Sequence, residues 1–536
     1  MTTSSAGKRN RFKQALRVIV LLLIVAIVVL AVWQLNEYRK LRTALLPEGS
    51  VYQVTENLPP IAQEAVLQNR AFYLSRPTAQ QLAEWEAQVN IQGLTSVEDG
   101  ELATEALAFR NAQLKQPEWI TYDETDVELD FLLQYMRYSF ALYAYRGGDD
   151  VFIPLFDTIK EEILASGSDN RIRTDTYIDI LRTNILPAVG DIHTYIGSMN
   201  YDEMFPEKRY YSYTNDLYFF EKDTNGFFCN MDNVTYRLQS NNGQLPEQYL
   251  KPGILENGTI AYILWLYTND TDSDIISCPL SLRDESGQIV EKDMPLAKVL
   301  DHLSDKETIY SLTETEDYFY LRNSSLMSIA RNMDSLNQMV ADAAKIRGEK
   351  PVIIDLRGHN GGNDYYALFW LLKFKNLSKV QGLFIPMPGV SYDLKTQTIE
   401  TLWNGKIAGS VARPGLVSRY KNGGNPLHMQ NDTPIFVIID RGCGSSGEWF
   451  TSHLSRLDNI VIVGENTKGM TIGGNQCTVI LPVSRYKATF SVGVSVNSDL
   501  RDLEGYGLSP DIYAPPGEAL ERVIAMIRNY DIKGVQ

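Results

Sequence analysis

Three short runs constrain the fold most: Val352–Leu356 (VIIDL), Ile435–Ile439 (IFVII) and Ile460–Val463 (IVIV) carry almost no polar side chain. A strand with one wet face alternates polar and apolar residues, whereas a strand covered on both faces reads as a continuous apolar run. Helical spacing fills the intervals. Ile329, Met333, Leu336, Met339, Val340 and Ala343 mark one helix before Gly348, Tyr365–Phe374 a second, and a third runs to Leu457. Buried strands alternating with helices predict an α/β core over residues 313–536.

Upstream the texture differs. Residues 201–312 are richer in Tyr, Phe and Thr, with short apolar runs such as Ile260–Tyr267 between Asn/Gly turns, which predicts a β-rich domain. Residues 43–200 read as a helical N-terminal region, its first part (43–120) a polar stalk. Thr125 and Glu128 have capping-box spacing ahead of Leu129, Leu132, Leu133, Met136 and Phe140, a helix expected to end at Gly147-Gly148. Two more helices follow near 153–166 and 174–186.

Val18–Leu35 is apolar but for Gln34. As a helix its 18 residues would span roughly 27 Å, near the hydrocarbon thickness of a bilayer. Five basic residues precede it and three follow, so a basic cytoplasmic tail (1–17) and a transmembrane anchor (18–35) are expected, with the C-terminal bulk outside. A cleaved signal peptide is the competing reading, although no small-x-small cleavage site follows. Residues 1–42 balance at +7 within a chain at −16, leaving −23 for the remainder. That acidity argues against nucleic acid as a partner. Cys229, Cys278, Cys443 and Cys477 allow disulfides within the upstream and within the downstream pair. They show no CxxC spacing and only five histidines accompany them, which argues against a structural zinc site.

Two segments carry chemistry. In Asp440-Arg-Gly-Cys-Gly-Ser-Ser-Gly-Glu448 a buried strand delivers serines to a helix N-terminus, where unpaired N–H groups can hold an oxyanion. On local pattern alone, N-capping is the commoner task of such serines. In Asp355-Leu-Arg-Gly-His-Asn-Gly-Gly362 glycines follow a strand end, which lets backbone approach a substrate.

Together with Gly190-Asp-Ile-His-Thr194, Gly464-Glu-Asn-Thr-Lys-Gly469 and Glu504-Gly-Tyr-Gly-Leu-Ser-Pro-Asp511, these segments resemble, in order, the motifs of the tail-specific or C-terminal processing serine peptidases and their tricorn-like relatives. The resemblance implies a crotonase-like (ClpP/crotonase-type) catalytic core and a peptide or protein substrate, with no metal or organic cofactor. It assigns the nucleophile to Ser445 and an oxyanion hole to backbone N–H groups of Gly361, Gly362 and Ser446. The tail-protease branch uses a Lys where this chain has Met470, leaving only Lys468 nearby, so the tricorn-like branch fits better. There His193 is the base and Glu504 orients it, although the Ser that links the two in that branch is Ile192 here and Thr194 or a water would replace it. His359 is the second candidate base, while His302, His428 and His453 read as surface or helix residues. Glu448 fits the helix dipole and Asp511 a structural role. Many relatives carry a PDZ domain where 201–312 lies, but no carboxylate-binding Gly-Leu-Gly-Phe-like loop is present. The rival reading is an inactive relative that binds peptides or senses at the membrane.

Overall fold

In a computed structural model, residues 25–33, 35–36, 39, 50–73, 78–89, 115–197, 209–240, 245–301, 308–348, 350–377, 390–399, 409–420, 428–496 and 500–534 are described. The three apolar runs form parallel neighbours, Val352–Asp355, Ile435–Ile439 and Ile460–Gly464, with Ile353 opposite Phe436 and Phe436 opposite Val461. All their residues are buried, and the pleat divides them between two layers. Ile354, Val437 and Ile462 pack with the helices Met333–Asp342, Tyr365–Phe374 and Ser446–Leu454. Ile353, Phe436 and Val461 pack on the opposite face with Ala519–Asn529 and Pro60–Tyr73. Helices on both faces explain why no polar alternation is present.

The β-rich region continues this sheet. The two-residue strand Ile512–Tyr513 pairs in parallel with both Ile460–Gly464 and Leu250–Ile254, joining everything into one thirteen-stranded sheet. A second, five-stranded sheet holds Gly473–Ile480, Lys487–Val496, Val390–Ile399 and Gly409–Tyr420, with Tyr195–Ile196 against Lys487–Val496. The helices Tyr122–Ser139, Asp149–Ser166 and Thr174–Val189 share a core with that sheet, where Phe140 meets Phe490.

Some expectations change, among them the end of the first helix, which stops at Ser139 and not at Gly147-Gly148. The first helix starts one turn earlier than Thr125, because Thr121 and Glu124 form the capping box, with Thr121 N–H donating to Glu124 at 2.8 Å. Glu128 is buried and accepts from the N–H groups of Val483 (2.5 Å) and Ser484 (2.7 Å). The stalk is in part docked onto the core, since Tyr52, Leu58, Ala62 and Val66 belong to the same cluster as Ile353 and Val461. Cys229, Cys278 and Cys443 are buried thiols, so neither expected disulfide forms. No helix among the described residues is long and apolar enough to cross a membrane. Of the expected span, residues 18–24 and Gln34 lie outside the described residues, and Val25–Trp33 is helical with exposed side chains.

The docked segment is held by a buried ion pair between Arg70 and Asp511, whose carboxylate also accepts from Ile462 N–H and Asn69 Nδ2, both at 2.7 Å. Removing one partner strands the other charge in the core, which costs about 3–5 kcal/mol. Arg70→Met is therefore expected to lower unfolding free energy by that amount in urea titrations. A loss under about 1 kcal/mol would mean that this segment does not dock in solution.

Candidate active site

Ser445 stands at the exit of Ile435–Ile439, immediately before the helix Ser446–Leu454. Its backbone adopts φ +53° and ψ −120°, a region that costs a non-glycine residue about 1–3 kcal/mol. Strain of this kind persists only where the surroundings impose it, and here they do. Buried Glu448 accepts from Ser445 N–H (2.8 Å) and Met470 N–H (2.9 Å) on one oxygen, and from Thr467 Oγ1 (2.5 Å) and Gly469 N–H (2.8 Å) on the other. Burial pushes its carboxyl above the usual range, and the four donors act against that shift. Glu448 is thus a clamp beneath the nucleophile turn.

The turn presents Ser445 Oγ 3.0 Å from His193 Nε2. His193 comes from a different layer, on the turn after Thr174–Val189 and before the short strand Tyr195–Ile196. Its carbonyl accepts from Gln476 Nε2 of the five-stranded sheet at 2.8 Å. Residues far apart in the chain, with a separation of 252, therefore meet as the resemblance implied.

Glu504 also arrives at this site and is gripped there by backbone donors. It accepts from Ile192 N–H (2.8 Å) on one oxygen and from Thr471 and Ile472 N–H (both 2.9 Å) on the other. A second carboxylate, which the motifs left without a role, lies at His193. Asp191 Oδ1 is 3.5 Å from His193 Nδ1 and accepts His193 N–H at 3.0 Å. Ligand-type atoms of Asp191, His193 and Glu504 lie within 4.8 Å of one another, but the carboxylate oxygens already receive N–H and O–H donors, so the triangle is a hydrogen-bond network. Burial alone would lower the His193 pKa; the Asp191 carboxylate, aided by Glu504 and Glu448, raises it above 6.5.

The Gly-rich loop faces Ser445. Gly361 has φ +86°, and a Cβ there would stand 2.9 Å from Ser445 Cβ, so only glycine permits this approach. Its N–H, expected in the oxyanion hole, instead donates to His359 Nδ1 at 3.1 Å. Among the described residues the N–H groups of Gly362 and Ser446 have no recorded acceptor, and Ser446 Oγ donates to Gly362 O at 2.8 Å, tying the two together. The expected oxyanion donors thus reduce to Gly362 and Ser446.

Of the alternative bases, His359 does not match the geometry. His359 is wholly buried, with Nε2 3.0 Å from Asn323 Oδ1 and Nδ1 accepting from Gly361. Burial and then the Arg322 charge push its pKa down to about 3, so it is a neutral brace for the loop. Lys468 is half-buried, its N–H donating to Cys443 O at 2.8 Å, and Ser445 already has a histidine at its hydroxyl. Met470 and Ile192, the two departures from the relatives' patterns, pack together with Leu186 in one apolar cluster. His428 is not a surface residue: it is buried, bonded to Asp458 and stacked on Tyr52 with ring centres 5.2 Å apart. His453 is buried in its helix, and His302 lies outside the described residues. Asp511 is structural, as described above.

Residues 317–514 match Peptidase family S41. No curated protein matches the chain. Among solved structures, mature CPAF is similar at 12% identity over 80% of this chain and 96% of its own, with a TM-score of 0.36. The photosystem II D1 C-terminal processing protease is similar at 13% identity over 76% and 97%, with a TM-score of 0.33. The tricorn protease is similar at 13% identity over 75% of this chain and 37% of its own, with a TM-score of 0.27. The match of residues 317–514 to Peptidase family S41 supports reading the chain as a serine-type peptidase.

Proposed function

We propose that this chain is a membrane-anchored, extracytoplasmic peptidase with a crotonase-like core that cleaves peptide bonds through an acyl-enzyme on Ser445. The observation that carries the reading is Ser445, held at φ +53° with its Oγ 3.0 Å from His193 Nε2. His193 Nε2 takes the hydroxyl proton as Oγ attacks the scissile carbonyl. The N–H groups of Gly362 and Ser446 hold the oxyanion, aided by the N-terminal end of Ser446–Leu454. His193 then protonates the leaving amine, and a water activated by the same nitrogen releases the acyl group.

The anchor rests on the composition of Val18–Leu35 and on Val25–Trp33, a described helix whose apolar side chains are exposed, Ile27 by 64% and Val32 by 62%. Such a surface is stable where lipid covers it. The basic residues ahead of it favour a cytoplasmic N-terminus.

The chemistry is checked with a fluorophosphonate probe on the full chain. Wild type should label, and Ser445→Ala and His193→Ala should lose labelling by at least about 100-fold while keeping their circular dichroism. A folded wild type that does not label would favour the ligand-binding reading. Labelling requires neutral His193, and its pKa lies above the ordinary 6.5. The rate should therefore rise with pH through a midpoint above 6.5; a midpoint below it would contradict the charge arrangement at Asp191. On fractionation of producing cells the full chain should sediment with membranes and resist carbonate extraction, and deletion of residues 1–42 should release it. Recovery of the full chain as a soluble species would remove the anchor from this reading.

A further inference from the structure

We propose that Asp191, and not Glu504, is the carboxylate that orients the His193 ring and balances its positive charge, while Glu504 fixes the backbone on which His193 stands. The proposal rests on the peptidase reading above and redistributes roles within its site.

Three observations converge. The first is direction. Asp191 Oδ1 lies 3.5 Å from His193 Nδ1, on the side of the ring opposite the Nε2 that faces Ser445 Oγ at 3.0 Å. His193 Nδ1 is buried and has no closer partner among the described residues. A contact of 3.5 Å is long for a hydrogen bond, but bonds of this kind tighten when substrate binds and imidazolium forms.

The second observation is how firmly each carboxylate is held. Asp191 is fully buried, and its own turn sets its plane: Oδ1 accepts His193 N–H at 3.0 Å and Oδ2 accepts Thr194 Oγ1 at 2.9 Å. Glu504 is held by three backbone N–H groups, Ile192, Thr471 and Ile472, at 2.8–2.9 Å. Swinging it onto the ring would strand buried donors, at about 1–3 kcal/mol each.

The third is the side chain between them. Position 192 is isoleucine and packs against Met470 and Leu186. It has no hydroxyl to relay a bond from Glu504 to the ring. Thr194, on the other side of His193, supplies the hydroxyl that steadies Asp191 instead.

Three acids face the ring: Asp191 from its own turn, Glu504 from the 504–507 turn and Glu448 from the helix after Ser445. Asp191 contributes most to the raised basicity of His193, and in return its own carboxyl is held below the usual range despite burial. As a positioning residue, Asp191 keeps the proton on Nδ1 and leaves the Nε2 lone pair for Ser445.

The test is a pH titration of the full chain in detergent, labelled with carbon-13 and nitrogen-15 in its five histidines, with the His193 signals assigned by their loss in His193→Gln. Neutral wild-type His193 should carry its proton on Nδ1. In Asp191→Asn the titration midpoint should fall by at least about one pH unit. Fluorophosphonate labelling should drop by roughly 10³–10⁴-fold, the loss expected when the base holds the wrong tautomer. Glu504→Gln should lower the melting temperature but move the midpoint less, and labelling per folded molecule should fall by less than about tenfold. The reverse ranking of the two variants would overturn the proposal. So would a neutral wild-type ring protonated on Nε2, a result that needs no variant to fold. Expected titrations in a wild type that never labels would count against the peptidase reading and leave the assignment of Asp191 standing.

Discussion

The acceptance of four donors by the buried carboxylate of Glu448 is the interaction on which the site depends. It fixes Ser445 N–H and, through Thr467, Gly469 and Met470, the loop that lies beside the nucleophile. The next two N–H groups of that loop, Thr471 and Ile472, go to Glu504, which also takes Ile192 next to His193. One loop is thus gripped from the serine side by one carboxylate and from the histidine side by another. The 3.0 Å contact between Ser445 and His193 is set by this pair of clamps, although the two residues come from separate layers. Polar groups so deep are tolerable only because each finds its partners.

Much of this was legible in the chain. Strands such as Ile435–Ile439 are continuous apolar runs, and Tyr365–Phe374 follows a turn and precedes Asn376, so both appear with their expected bounds. The start of Tyr122–Ser139 was not fixed locally, because Thr121/Glu124 and Thr125/Glu128 offer the same spacing in tandem. The choice falls to a long-range contact: Glu128 is occupied by Val483 and Ser484. Continuity of the sheet between the β-rich region and the core is not legible in the sequence, because a strand of only two residues, Ile512–Tyr513, makes the join.

The same limit applies at the site. Ser445 and His193 are marked by motifs, because a turn that exposes a serine and a turn that carries a histidine have local signatures. Which N–H groups remain for an oxyanion does not. That depends on the orientation of the His359 ring, which is set by Asn323 from another strand and consumes the Gly361 N–H. Nor could spacing show which of several acids lies by the histidine ring, since Asp191 is two residues away in the chain and Glu504 more than three hundred.

The contact between Ile192 and Met470 bears on how such a site can change over generations. The two side chains share one small apolar cluster, so the effects of substituting them are expected to be coupled. A lone serine at 192 would face a thioether, and a lone lysine at 470 would place an ammonium against isoleucine and leucine, an expensive burial without a partner. Either polar arrangement becomes accessible only when both positions move together. A single substitution toward either relative's pattern is therefore expected to cost more than the double one, which makes the two positions an epistatic pair.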